Sequence, residues 1–349
     1  ASDVYKRQVN KMAQAGETFD IYDATGVRED LTDIIYNISP TDTPFFSSIG
    51  KSKATQHLHQ WQLDSLATAA ENKHVDGDEF AGTAITATSV LGNYCQISKK
   101  NVVVSGRAEV ADKAGRRSEM AYQMAKAGKE LKRDVEFACV ASKNNAAVGT
   151  SSSAPTACGL LSTITTNEAL NSSDSAVVTP LNSGTMGSRQ IVDAASLNGF
   201  SFDESVFDGV VRGAFTEGGD PQYVMCHPIS KSILSDYYLG TTAKVAAVQG
   251  PRAGAGAASA VGAIDVFISD FGTMRIIPNR IMRSAAREIF IIDPDYWGIA
   301  YLRPFQTVNI ASTGDAEKKT MMVDWTLVGK NEAASGIMKD LDSGAAAQA

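Results

Sequence analysis

Three histidines are the first residues that could do chemistry. His57 and His59 stand two apart in the alternating stretch Thr55–Leu66, and His74 follows in the next segment. Imidazoles two apart on a strand share a face, and a catalytic zinc needs three protein ligands with one position left open. No HExxH motif and no spaced carboxylate accompanies them. Polar strand histidines that face solvent or a neighbour are the simpler assignment. His227 sits just before Pro228, at a strand-to-helix junction where capping is preferred to base catalysis. A Ser-His-Asp triad would need a nucleophile elbow, and there is no GxSxG. Asp293-Pro294-Asp295 and Asp76-Gly77-Asp78-Glu79 pair carboxylates, but Asp-Pro and Asp-Gly are turn formers first.

The run Gly254-Ala-Gly256-Ala-Ala-Ser259 has the look of a dinucleotide loop. Such a loop follows a strand, opens a helix and is trailed by an acidic residue about 20 positions on. Here Gln249–Arg252 precedes it and a strand is expected from near Ile264, so a simple Ala/Gly loop is preferred. Cys95, Cys139, Cys158 and Cys226 form no CxxC pair and read as reduced thiols of a cytoplasm-made protein. Met120 and Met124 read as core packing. No catalytic residue, metal site or cofactor is predicted, and the chain is not expected to be an enzyme.

The elements that position these residues belong to a chain of 349 residues with a formal net charge of −7. That length suggests two domains, or one large domain with insertions. The acidic balance argues against a protein that coats nucleic acid, which needs clustered Lys and Arg. No apolar run reaches the roughly 18 residues of a membrane span. Residues 1–11 are set aside as a non-native leader, because Ala1–Gln8 looks like translated sequencing adapter and Met12 is a better start.

Residues 17–56 show little periodicity beyond a short amphipathic helix, Asp30–Ile38, which must stop before Pro40. An arm of this kind must bury its apolar anchors elsewhere, for example on another subunit. Thr55–Leu66 and Val90–Val104 read as two strands of an extended hairpin, with His57, His59, Trp61 and Leu63 on one face. Such a hairpin has too few large apolar residues to hold itself up. The clearest helix starts at the N-cap Ser118 and runs to about Lys143, on the order of 39 Å long at 1.5 Å per residue. Its buried stripe is Met120, Met124, Ala127, Leu131, Val135 and Ala138, with Glu136 and the lysines mostly on other faces. Helices then alternate with strands: Asp203–Glu217, Tyr223–Cys226, a helix from His227-Pro228 to Tyr238, and short strands to Val328. The pattern is α+β with a mostly antiparallel sheet.

In this order of elements the sequence resembles the major capsid proteins of tailed double-stranded DNA phages, especially the podovirus-type major head proteins. Two stretches carry the resemblance. One is Thr18–Leu31 (TFDIYDATGVREDL) followed by Ile38–Phe46 (ISPTDTPFF); the other is Met322–Ile337 (MVDWTLVGKNEAASGI). The likeness covers about Glu17 to Leu341.

The resemblance implies the tailed-phage/herpesvirus major capsid protein fold. The N-terminal arm would be residues 12–56 and the extended loop 57–102. The peripheral domain with its spine helix would be 103–154 and 290–341, the axial domain 155–289, and 342–349 a disordered tail. It implies a structural protein that self-assembles, as pentamers and hexamers, into the icosahedral head shell enclosing the DNA genome. That places it in the virion after synthesis in the bacterial cytoplasm, with a portal and scaffold or decoration proteins as partners and no membrane. DNA would be enclosed without sequence-specific binding. Phe45, Phe46 and Trp61 are the expected interface anchors, since aromatics dominate interface energetics. Deleting residues 12–50 is expected to leave a soluble subunit that forms no shells. Some related capsids crosslink a loop lysine to an asparagine, and Lys73 with Asn331 is the pair to consider. Plain packing is preferred for it, as no buried carboxylate is evident nearby. A nanocompartment shell that packages enzymes is the runner-up within this fold, and a nucleotide-binding enzyme using the Gly254 loop is the alternative outside it.

Overall fold

The computed structural model describes residues 39–77, 82, 85, 87–169, 202–248, 264–285, 287–339 and 341. The expected helix at Asp30–Ile38, the Gly254 loop and the tail from 342 lie outside the described residues.

The described chain opens with α1 (Pro44–Ser48), where proline occupies the first turn, and β1 (Gly50–Lys53). Next come β2 (Leu58–Leu63), β3 (Ser89–Tyr94) and β4 (Gln96–Ser105), then the short α2 (Gly106–Val110). The long helix α3 (Glu119–Val140) follows; Ser118 caps it by accepting from the backbone N–H of Ala121 at 3.2 Å. After α4 (Leu160–Thr163) and β5 (Glu168–Ala169) come α5 (Glu204–Thr216), β6 (Tyr223–Cys226) and α6 (Pro228–Val248). Strands β7 (Val266–Ser269), β8 (Gly272–Pro278), β9 (Ile289–Ile292), β10 (Trp297–Ile310), β11 (Ala316–Gly329) and β12 (Gly336–Met338) complete the order. α6 runs ten residues past the expected end at Tyr238.

Two larger sheets and one hairpin result. The first sheet has the order β1-β10-β11-β4, the second β5-β12-β9-β6-β8-β7, and β2 pairs only with β3. Antiparallel pairs dominate, as expected, with β1/β10, β12/β5 and β6/β8 the parallel exceptions. Two strands expected at Trp297–Leu302 and Thr307–Ala311 are one strand, β10. Its register against β11 shifts between Tyr301 and Arg303 and again between Arg303 and Gln306, around Pro304. Proline cannot donate to the ladder, so the strand accommodates it at a bulge and continues.

The central strands of the six-stranded sheet, β9 and β6, are buried on both faces, while the edge strand β7 is partly exposed. In β9, Phe290 and Ile292 enter one apolar cluster while Ile289 and Ile291 enter the other. Strand β6 divides in the same way, Met225 against Val224 and Cys226. Fully buried strands read as unbroken apolar runs, and Ile289-Phe290-Ile291-Ile292 is one. The expected domain boundary at 289/290 therefore cuts through β9. Strands β9 and β12 belong to the sheet built by β6, β7 and β8, so the chain adds a strand to that sheet on either side of the β10–β11 pair.

α3 lies across β4 and β11. Its buried stripe contains Met120, Met124, Ala127, Leu131 and Val135 as the spacing predicts, and also Glu136, Cys139 and Val140. Toward its C-terminal end the helix is covered on a wider arc. Helix α5 is capped by Asp203, whose carboxylate accepts from Ser205 N–H at 2.9 Å, and closes at Gly218 with φ +92°.

Candidate assembly site

The start of the described chain, at α1, is organised by a buried acid. Helix starts leave backbone N–H groups without intrahelical partners. In α1 those of Phe45 and Phe46 donate to Glu136, at 3.0 Å to Oε1 and 2.7 Å to Oε2. The Asn279 amide donates to the same Oε1 at 2.7 Å, and Asn279 Oδ1 accepts from Ile281 N–H at 2.9 Å. Burial pushes the Glu136 carboxyl above its usual value, against the downward pull of the Phe46, Phe45 and Asn279 hydrogen bonds. One side chain thus ties the arm root, the long helix and the turn after β8 together.

Glu136 was expected on an outer face, and the structure places it inside. Three donors converge on it, which is how a buried carboxylate becomes tolerable. The only sequence signal is the widening of the apolar stripe one turn later, at Cys139 and Val140.

Phe45 and Phe46 are corrected along with it. Both are buried in their own chain, with Ile49, in the cluster that holds Leu131, Val135, Met225 and Trp297. Phe46 meets Phe305 edge-on at 6.3 Å. Neither ring is left for a neighbouring subunit, and the arm root is anchored within its own subunit. A deletion of 12–50 would therefore remove core residues as well as the arm.

The hairpin meets the body at its base only. Trp61 packs, half-buried, beside Ala54, Cys95, Ala300 and Val328, and its Nε1 is buried without a hydrogen-bond partner. Asn93, fully buried in β3, donates to Leu327 O at 2.8 Å and accepts from Cys158 N–H at 3.0 Å. Beyond the Leu63–Ser89 pair that closes β2/β3, every described side chain up to residue 88 is exposed. Leu66, Val75 and Ile85 are 97%, 80% and 97% exposed.

A second open surface is the side of the β10–β11–β4 sheet turned away from α3. Val103, Lys318 and Ile310 form one cross-strand row, Asn101, Thr320 and Val308 the next. Ile97, Val103, Val308 and Ile310 are exposed there. Arg303 pairs across the strands with the buried Asp324 at 3.3 Å.

The remaining sequence candidates have local roles. Lys73 pairs with Glu71 on the exposed tip segment. Asn331 caps a short 3-10 turn, its Oδ1 accepting from Ala333 N–H at 3.1 Å. The two side chains thus make separate contacts within the subunit. His227 Nδ1 accepts from Ile229 N–H at 3.3 Å, the capping role expected of it. Asp293 is a turn residue: Oδ1 accepts from Asp295 N–H at 3.1 Å and Oδ2 from Asp220 N–H at 2.9 Å. His57 stacks near Tyr94 and His59 near Trp61. Among the described residues no three His, Cys, Asp or Glu side chains are grouped to hold a metal ion, and no helix is long and apolar enough to cross a membrane.

Comparison with known proteins gives three likenesses. A family model described as SU10 major capsid protein matches residues 10–342. The major capsid protein of Escherichia phage Phieco32 is 39% identical over 116 residues, a third of this chain and a third of that protein (33% of each). Among solved structures, the capsid asymmetric unit of cyanophage A-1(L) matches 90% of this chain and 97% of its own, with 12% identity and a TM-score of 0.62. An encapsulin complex from Synechococcus elongatus matches 98% of this chain and 96% of its own, with 10% identity and a TM-score of 0.50. At these identities the structural matches establish the fold, that of the tailed-phage capsid proteins.

Proposed function

The chain belongs to the SU10 major capsid protein family, and from that premise we propose that it is the subunit of a tailed-phage head shell enclosing double-stranded DNA. The observation that carries the proposal is the β2/β3 hairpin. Its tip holds Leu66, Val75 and Ile85 largely in solvent, and none of the described residues of 64–88 is buried. Large apolar side chains held out in this way mark a contact surface. Among the described residues the same subunit also leaves a sheet face exposed around Val103, Val308 and Ile310. Two different surfaces that need covering suit heterologous contacts, which close into rings when the rotation is right.

We assign residues up to 56 to the arm and 57–102 to the hairpin. The long helix with β10 and β11 forms the peripheral unit, and the six-stranded sheet with α5 and α6 the axial one. Rings of five and six copies would build the wall, with a portal and scaffold or decoration proteins as further partners and the virion as its final place. Trp61, half-buried at the hairpin base, remains the aromatic candidate for a subunit contact.

The test is expression of the full chain followed by light scattering and electron microscopy. Megadalton closed particles are expected; a homogeneous dimer or tetramer would sink the proposal. Particles that fill with a co-expressed enzyme rather than DNA would favour the nanocompartment reading.

A further inference from the structure

Charge is unevenly distributed along this acidic chain. Residues 97–143 hold eleven Lys and Arg against six Asp and Glu, although the whole chain carries −7. The excess is displayed on the side of α3 turned away from the sheet. Lys126, Lys129 and Lys132 are exposed there at three-residue steps, which spreads them over about 9 Å of helix at 1.5 Å per residue. The acids among them are already engaged or hidden. Glu130 faces Lys126 at 3.9 Å, Asp134 pairs with Lys100 at 2.8 Å, and Glu136 points into the core.

Toward the C-terminal half of α3 this stripe meets a cleft of about 370 Å³ lined by Arg133, Arg280 and Arg283 together with Lys100, Glu130 and Asp134. The lining acids already have lysine partners, so among the described residues the three guanidiniums are the charges left without an ion pair. Arg133 Nε is buried with no hydrogen-bond partner. Arg280 and Arg283 are exposed, but their backbone is fixed, because Asn279 is held by Glu136 on one side and caps Ile281 on the other. The cleft is therefore a built arrangement of forks on the same face as the lysines.

We propose that the lysine stripe of α3 and the Arg133–Arg280–Arg283 cleft form a contact surface for nucleic-acid phosphates. They would then mark the side of the subunit that faces the genome. This rests on the shell reading above. Guanidinium forks match phosphate oxygens in bidentate fashion, and lysines serve as point charges along a backbone. Nothing in the surface suits base reading, so the contact is independent of sequence. An acidic protein partner would be expected to find apolar anchors, and the only large apolar side chain exposed along α3 is Phe137.

The test measures binding of the full-length chain to a short random-sequence DNA duplex as a function of salt. The wild type is compared with Arg133→Gln/Arg280→Gln/Arg283→Gln and with Lys73→Gln/Lys99→Gln/Lys318→Gln, an equal charge loss elsewhere. Each phosphate contact contributes about 0.9 to the slope of log affinity against log salt. The arginine variant should therefore lose about two to three units of slope, and the control variant none. Equal slopes in the two variants, or no duplex binding by the wild type at low salt, overturn the proposal. So does an arginine variant that keeps duplex binding but loses binding to polyglutamate, which would indicate a protein partner. Electron microscopy of the wild type keeps the two readings apart. Absence of particles would count against the shell, while the slopes would still decide the phosphate surface.

Discussion

The backbone N–H of Phe46 donates to Oε2 of Glu136 at 2.7 Å, across 90 positions of chain. This contact fixes α1 against the long helix, because α1 is clamped at its first turn rather than held by side-chain packing alone. A neutral apolar residue at 136 would leave the Phe45, Phe46 and Asn279 donors buried and unpaired.

Glu136→Ala should therefore be strongly destabilising, by roughly 1–3 kcal/mol for each donor left without a partner. Glu136→Gln keeps one acceptor oxygen and should cost less. The wild type and Glu136→Gln also separate in pH, since only the wild type titrates at this position. Because burial raises the folded-state pKa of Glu136 above the ordinary 4.5, the folded chain holds this proton longer than the unfolded one. Stability from this group is then fully present below about pH 4.5 and is lost as pH rises through the raised folded value. Urea melts of the wild type minus those of Glu136→Gln should show that decline; a flat difference would remove the titration from the account.

Core anchoring and assembly should come apart by mutation. Phe45→Ala removes a fully buried ring and should cost the unassembled subunit roughly 3–5 kcal/mol. Replacing residues 64–88 by Asn-Gly, a turn that suits a two-residue hairpin, should leave the urea midpoint near that of the wild type and abolish particles. Particles of normal size from the shortened chain would mean that the hairpin tip is not a subunit contact.

Asn93 holds the base of the hairpin to β11 and to the strand-free segment at Cys158. Asn93→Ala would strand the Cys158 N–H and the Leu327 carbonyl, a loss of about 1–3 kcal/mol for each buried group left unpaired. The expected signature is a lower thermal midpoint together with faster hydrogen exchange at Cys158.

The four cysteines should be inert in the folded subunit. All are buried and free, and burial raises the thiols of Cys95 and Cys158 to about 11 and that of Cys226 to about 12. The thiolate is the reactive form. A thiol reagent near neutral pH should label the native protein very slowly and all four sites once it is unfolded. Rapid labelling of the native subunit would contradict this burial.

What the sequence made legible was whatever depends on neighbours in the chain. The Ser118 cap, the stripe from Met120 to Val135, the alternation at His59, Trp61 and Leu63, and the four residues of β6 all follow from local period and capping chemistry. What it hid depends on distant partners. Phe45 and Phe46 looked like loose anchors, because nothing near them in sequence announces Glu136 or Met225. Trp297–Leu302 and Thr307–Ala311 looked like two strands, because the bulge that joins them around Pro304 needs β11 alongside. Of the assembly candidates, Trp61 kept a half-exposed position, whereas the burial of the two phenylalanines could be seen only once the long helix was in place.

Strand β1 pairs in parallel with β10, Gly50 beside Gly298 and Lys53 beside Tyr301. In a chain emerging from the ribosome, the arm root thus waits for almost its entire remainder before its sheet partner exists. A ribosome stalled before Trp297 would carry a nascent chain whose arm has no strand to dock on. Docking of β1 thus acts as a check that the chain has been translated past β10.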